Sequence, residues 1–316
     1  MLNSRLNFSR ITVELISMYE CRLPEFTGSL LRGSFGHALK KVFCEQYSDK
    51  CSECSSSSDC GYFQIFESQD DNFRKMGYHY KPHPYIITPC HKSYYKVGDK
   101  LQFKMTFFGD FIRFFPYLSK TFEEMGKVGF GKDRNTFSLS SIRDDISGKE
   151  LYSEKDKMAE IKTLSIQEYA RKEFDRIFRG SNTGTGDFDM VFLTPGRFAE
   201  NGKVLKSING KLLFDSINRR YSTMHSFYGE FDRKDISGEE EVQITVNDCS
   251  YKKWNRYSNR QERKVQQSGI LGTYTLKNIS PRTFQILKAM EILHIGKNTS
   301  FGLGKIEIRM DDCKNS

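Results

Sequence analysis

The amino-acid sequence predicts an α+β protein built from two tandem copies of one β-α-β-β-α-β module, the ferredoxin-like order, with a cysteine-cluster insertion in the first copy. Three observations predict it. The stretches FFPYLSKTFEEMGKVGFGKDRNTFSLSSI (114–142) and TFQILKAMEILHIGKNTSFGLGKIEIRM (283–310) both run from a helical pattern through a glycine-rich loop into an alternating strand. Working back from each loop gives the same order of strands and helices in both halves. The length, 316 residues, suits two ordinary domains.

In the first half, RITVELIS reads as a strand and TGSLLRGSFGHALKKVF as an amphipathic helix. YIITP and KLQFKMTFFG read as two further strands, before a second helix from about Phe114. In the second half, DFDMVFLTP is a strand and LLFDSINRRYSTMHSFYG a helix. EVQITVND and GILGTYTLKNI are strands, and PRTFQILKAMEIL is a helix opened by Pro281 near its first turn. The domains expected are residues 1–150 and 187–316, joined by a charged, partly helical linker over 151–186 that ends in a Gly/Ser/Thr-rich run.

No apolar run approaches the roughly 20 residues a membrane span requires. The N-terminal stretch MLNSRLNFSRITVELISMY is broken by Asn, Arg and Glu, so no signal core is read there. A cytoplasmic protein without a membrane partner is the expectation, and cysteines there stay reduced unless they bind metal or do chemistry. The net charge of +9 fits a polyanion partner without demanding one.

Four of the eight cysteines, Cys44, Cys51, Cys54 and Cys60, are spaced C-x6-C-x2-C-x5-C. A C-x2-C pair lets two thiolates reach one ion, and two more nearby complete a tetrahedral shell, typically of zinc. The Ser- and Asp-rich residues between them form no core, so a structural zinc would order the loop. A shell closed by four thiolates leaves no open position for catalysis. An iron–sulfur cluster and free thiols are the alternatives.

GKNT in the last glycine loop resembles the end of a phosphate-binding loop, but Glu291 stands where that motif needs glycine and Asn298 where it needs Ser or Thr. Neither a zinc-protease histidine pair nor a nucleophile elbow appears, nor a compact carboxylate set for two metal ions. An enzymatic reading therefore favours chemistry without a catalytic metal. His37 lies on the first helix near Lys40 and Lys41, where neighbouring cations favour its neutral form and suit it to act as a general base. Arg32, Lys40 and Lys41 are candidate phosphate contacts. The plainer alternative is a helix histidine partly buried against the sheet. His294 is either a helix C-terminal histidine favoured by the dipole or an RNA contact, and His83, between two prolines, reads as structural. In YKKWNRYSNRQERK, Trp254 and Tyr257 supply rings, Arg256 and Arg260 supply charge, and Asn259 and Gln261 supply amides. Single-stranded RNA recognition uses that mixture, although a charged surface helix can show it too.

GSLLRGSFGHALKKVFC, the cysteine loop ending CGYFQIFES, HPYIITP, GDKLQFKMTFFG, FLTPGRF, RYSNRQERK with GILGTY, and HIGKNTSFGLGKIEI follow one another over nearly the whole chain. In this order the sequence resembles the CRISPR pre-crRNA processing endoribonucleases of the RAMP superfamily (the Cas-six family), in a branch with a four-cysteine cluster. The resemblance implies tandem RRM-like ferredoxin folds, with the last glycine-rich loop as a hallmark. That loop would hold RNA phosphates on exposed backbone N–H groups, with Gly296, Gly302 and Gly304 permitting close approach. His294, Lys297, Thr299 and Lys305 would join the RNA-binding set. The family reaction is metal-independent cleavage of repeat RNA by its own 2′-hydroxyl, leaving 2′,3′-cyclic phosphate and 5′-hydroxyl ends. His37 matches the position of the family's first-helix histidine, with Lys40, Lys41 or Arg32 as charge stabilisers, though no tyrosine stands beside it to complete a Tyr-His-Lys set. The implied partners are repeat RNA or crRNA, and further a CRISPR effector complex or a homodimer. Two other roles fit the same features: a non-cleaving crRNA-binding RAMP subunit, and a zinc-ordered protein-interaction subunit.

Overall fold

The computed structural model describes residues 5–44, 50–67, 81–89, 92–152, 160–178, 185–230, 242–258 and 263–310. Packing divides the chain into two units, Phe8–Thr163, and Leu164–Ser316 together with Met1–Asn7.

The first unit contains β1 (Asn7–Ser17), β2 (Cys21–Arg22), α1 (Gly28–Phe43), β3 (Tyr85–Thr88), β4 (Tyr94–Tyr95), β5 (Lys100–Phe108), α2 (Leu118–Val128), β6 (Phe137–Asp144) and β7 (Glu150–Tyr152). Its sheet runs β3-β5-β1-β6-β7, and the pairs are antiparallel. Without the terminal β7, the order is second, third, first, fourth strand of the module, which is the ferredoxin-like arrangement. β1 is covered on both faces: Ile11, Val13 and Leu15 enter the core while Ser9, Thr12 and Glu14 are also buried. Leu31, Phe35, Ala38 and Leu39 recur at helical spacing and bury one side of α1. A 3₁₀ stretch, Gly109–Tyr117, with Pro116 inside it, precedes α2.

The second unit contains β8 (Leu164–Ser165), α3 (Ile166–Phe178), β9 (Gly186–Gly196), β10 (Ala199–Glu200), β11 (Lys203–Val204), α4 (Gly210–Tyr228), β12 (Gln243–Ser258), β13 (Arg263–Ile279), α5 (Pro281–Leu293) and β14 (Ile306–Met310). Its sheet runs β12-β13-β9-β14, again second, third, first, fourth, and antiparallel throughout. The repeat read in the sequence is thus a repeat of topology. α5 starts where its signals place it: Ser280 caps it by accepting from the Thr283 N–H, and Pro281 occupies the first turn.

Two features depart from the expected layout. The segment expected as a linker contains α3, which packs on α5 within the second unit and stacks Phe174 and Phe178 beside Phe284. α5 buries residues around most of its circumference, so it needs this second cover. The other is the length of the paired strands β12 and β13, 16 and 17 residues, which carry residues 251–258 and 263–264 of the polar cluster as strand. No helix among the described residues is long and apolar enough to cross a membrane.

Candidate functional site

In the first unit, α1 presents two adjacent stripes. Arg32, Gly36 and Lys40 face the π-helical turn Phe63–Glu67 and the residues just before it. The Arg32 guanidinium lies 4.9 Å from the Phe66 ring, and Lys40 Nζ lies 5.9 Å from the Tyr62 ring. A Cβ on Gly36 would come within 2.7 Å of Phe66, so the glycine admits that ring against the helix. Gly33, His37, Lys41 and Cys44 form the neighbouring stripe. His37 is exposed, and Lys41 forms an ion pair with Glu124 of α2. The three residues expected to act together therefore share one end of α1, while Lys40 turns to an aromatic ring and Lys41 to a carboxylate.

His83, read as structural, lies against this stripe. Its Nε2 is 2.7 Å from an Arg32 Nη, and its Nδ1 is 3.1 Å from the Ile65 carbonyl oxygen. A guanidinium and a carbonyl can only donate and accept respectively, so the imidazole is neutral and protonated on Nδ1. The Tyr85 ring completes the cluster, 5.5 Å from His83 and 5.6 Å from Phe66. Burial pushes the Tyr85 hydroxyl well above the usual phenol range, against the opposing effect of Arg32 beside it.

The cysteine loop is held by turns of its own backbone. Cys54 N–H donates to the Cys51 carbonyl, Ser57 to Cys54, Cys60 to Ser56, and Gln64 to Cys60. All four cysteines are half-buried. Burial raises the Cys51 thiol, with Lys40 lowering it and Glu67, Cys44 and Cys60 raising it further, so these groups are electrostatic neighbours. Among the described residues, no group of three or more His, Cys, Asp or Glu side chains is drawn together as a metal shell.

In the second unit, the glycine loop closes on the chain itself. His294 ends α5 at a positive φ of 57°, is buried, and bonds the Leu303 carbonyl through Nδ1 at 3.1 Å. The N–H groups of Ile295, Lys297 and Gly304 donate to Gly304, Arg197 and Pro195. Those of Phe301 and Gly302 donate to Asn298 and Thr299, and that of Lys305 to Thr194 Oγ1. Gly296 and Gly304 do permit close approach, but to protein backbone. A Cβ there would fall 2.5 Å from the Arg197 oxygen and 1.7 Å from the Ile295 oxygen. Gly302, Gly304 and Thr299 are buried, Lys305 is half-buried, and Lys297 is exposed.

The loop meets the hairpin where Arg256 lies 5.2 Å over the Phe301 ring. Trp254 is half-buried on β12, opposite Gln267 of β13, and Lys252, Lys253 and Asn255 around it are exposed. Tyr257 lies on β12, and Asn259, Arg260 and Gln261 fall outside the described residues. Arg197, just past β9, ties the three pieces together: it donates to the Ser268 carbonyl at 3.0 Å and accepts from Lys297 N–H at 2.7 Å. Arg197 stands within FLTPGRF, where no spacing or motif marks it as a site residue. His225 is a buried packing histidine, bonded to the Tyr221 carbonyl at 2.9 Å and to Gln167 at 2.8 Å.

Residues 6–164 match the family model AF_1859_N, an N-terminal domain, and residues 190–306 match the model of the CRISPR-associated endoribonuclease Cas6. An uncharacterised protein of Archaeoglobus fulgidus is 25% identical over 292 residues, covering 91% of this chain and 93% of the relative. The fold resembles a Thermus thermophilus Cas6, with a TM-score of 0.53, 13% identity, and coverage of 97% of this chain and 99% of that one. It also resembles a chain of a partial Cas6-RT-Cas1–Cas2 complex, with a TM-score of 0.63 and 13% identity over 98% of this chain. The chain spans only 47% of that longer protein. Residues 6–164 make up half of the chain, so the chain belongs to the family that carries an AF_1859_N N-terminal domain, and its residues 190–306 are similar to the CRISPR-associated endoribonuclease Cas6.

Proposed function

We propose that this protein cuts CRISPR repeat RNA in the cytoplasm, without a catalytic metal, to release crRNA. A base takes the proton of the 2′-hydroxyl next to the scissile phosphate, the 2′-oxygen forms a bond to phosphorus, and the 5′-oxygen leaves. The products carry a 2′,3′-cyclic phosphate and a 5′-hydroxyl, the latter completed by a proton from the conjugate acid or from water. His37 is the proposed base. Lys40, Lys41 and Arg32 supply positive charge to the phosphorane, and the hairpin residues Trp254, Arg256 and Tyr257 with Lys297 and Lys305 hold the strand. The observation that carries this reading is the exposed end of α1, where His37 stands within one turn of both lysines.

The ion pair of Lys41 with Glu124 and the seating of Lys40 over Tyr62 favour a second reading. With both cations engaged by the protein, the chain would hold crRNA without cutting it. His37→Ala separates the two: cleavage falls by about 10²–10⁴-fold with RNA affinity retained if His37 is the base. Wild-type protein that binds repeat RNA tightly and leaves it intact supports the second reading instead.

We also propose that zinc is held by Cys44, Cys51, Cys54 and Cys60. The donor set is the soft thiolate set zinc prefers, and its role is to cross-link the end of α1 to the turns that follow. The ion content should be one zinc per chain. A Cys51→Ser, Cys54→Ser variant should lose it and unfold at a lower temperature, and a variant matching wild type in both would refute the assignment.

A further inference from the structure

Resting on the RNA-cleaving or RNA-holding reading above, we propose that Gln267 reads one adenine of the bound RNA, its amide oxygen accepting from the base's 6-amine and its amide nitrogen donating to N7. Gln267 lies on β13 directly opposite Trp254 of β12, and Val265 lies opposite Arg256. Side chains alternate along a strand and opposite residues share a face, so these four stand on one face of the arm. Arg256 lies 5.2 Å over the Phe301 ring, which turns that face toward the glycine loop. Lys253, Asn255 and Gln266, on the other face, are exposed. Gln267 is only 3% exposed, and its Oε1 is buried with no hydrogen-bond donor among the described residues.

That oxygen is what points to a ligand. Other buried polar side chains of this unit are bonded: Thr194 donates to the Gly302 carbonyl at 2.6 Å, Thr275 to Asp189 at 2.6 Å, and Lys288 to Glu291 at 2.7 Å. A buried amide oxygen without a donor destabilises the fold, and a hydrocarbon of the same length would fill the position without that cost. The acceptor therefore serves a donor from outside the chain. Unstacked bases of single-stranded RNA offer such donors on their edges, and a glutamine amide matches adenine at two atoms at once. Lys252, two residues from Trp254 on the same face, is exposed, so solvent begins close by. The last torsion of a glutamine is broad enough to turn the oxygen outwards.

The test is binding to the repeat RNA of the same genome, carrying a 2′-deoxy nucleotide at the cut site so that it stays intact. Each adenine in turn is replaced by a purine nucleotide without the 6-amine. One replacement should weaken wild-type binding by about 5- to 150-fold, and 7-deazaadenine at that position should weaken it as well. Gln267→Met should lose a similar factor on the unmodified RNA and lose nothing further on the RNA lacking that amine. The same variant should unfold at a denaturant concentration no lower than wild type, because it removes the unbonded oxygen. Wild-type affinity that no amine removal changes overturns the proposal, whatever the variant does. A Gln267→Met protein that binds every RNA as wild type does also overturns it. So does one that loses affinity equally for all of them and unfolds earlier, since the amide would then serve the arm's own fold. Wild-type protein that does not bind the unmodified RNA overturns the reading of function, and this site with it.

Discussion

Gly304→Ala should destabilise the second unit far more than a glycine substitution at a comparable backbone angle elsewhere in it. Gly304 has a φ of +70°, and a Cβ there would stand 1.7 Å from the Ile295 carbonyl oxygen. Gly202, in the β10–β11 turn, has a φ of +78° with nothing within 4 Å of its Cβ position. Both substitutions incur the strain of an L-residue at positive φ, about 1–2 kcal/mol. Only Gly304→Ala must also push apart the main chain that bonds Ile295 N–H to the Gly304 oxygen at 2.8 Å and Gly304 N–H to Pro195 at 3.0 Å. Gly304 is buried, so groups left without partners cost about 1–3 kcal/mol each. The expected losses are thus about 1–2 kcal/mol for Gly202→Ala and about 3–8 kcal/mol for Gly304→Ala. Trp254 is the chain's one tryptophan and lies on β12, so denaturant unfolding followed by its fluorescence reports this unit. Equal losses for the two variants would refute the claim that the loop's glycines serve the protein's own backbone.

Other perturbations test the packing and the charges. Lys288 is buried between Glu291, at 2.7 Å, and Glu173, at 3.6 Å, and Glu291 also accepts from Tyr169 and the Ile308 N–H. Lys288→Met leaves these carboxylates without their buried cation and should cost about 3–5 kcal/mol in the same unfolding assay, where a loss below about 1 kcal/mol would contradict it. In the first unit, burial alone would raise the Asp145 carboxyl, but hydrogen bonds from Lys104 and Thr12, with the charges of Lys104 and Arg10, hold it below the usual range. A depressed folded value stabilises the protein above the unfolded value of about 3.9, and that stability is lost as pH falls through the folded value. The stability gap between wild type and Asp145→Asn should therefore narrow between pH 5 and the acid limit, and a gap independent of pH would contradict the assignment.

The module boundaries were legible because local signals coincide there with tertiary packing. Ser280 and Pro281 open α5 whatever surrounds it, and Ile11, Val13 and Leu15 mark β1 in any antiparallel sheet. α3 was not legible as a domain element. Its exposed face is charged, and the need for Phe174 and Phe178 to cover α5 arises more than 100 residues further along the chain. The hairpin arm was legible only at its base, where Val242, Ile244 and Val246 alternate with polar residues; from Cys249 to Ser258 β12 is a polar and aromatic mixture with no alternation to mark a strand. His83 carries no periodic signal because its partner Arg32 stands 51 residues away. Glycine spacing located the last loop, but spacing alone does not distinguish a close approach to RNA from a close approach to Pro195, Arg197 and Ile295.

The most direct test of the function is incubation of wild-type protein with repeat RNA in EDTA, beside the same RNA carrying a single 2′-deoxy nucleotide at the cut site. Zinc content is measured before and after, and product ends are identified by mass. The account expects cleavage of the all-ribose RNA to a 2′,3′-cyclic phosphate and a 5′-hydroxyl, with the deoxy substrate left whole. Cleavage of the deoxy substrate, or cleavage that requires an added divalent metal, would contradict it.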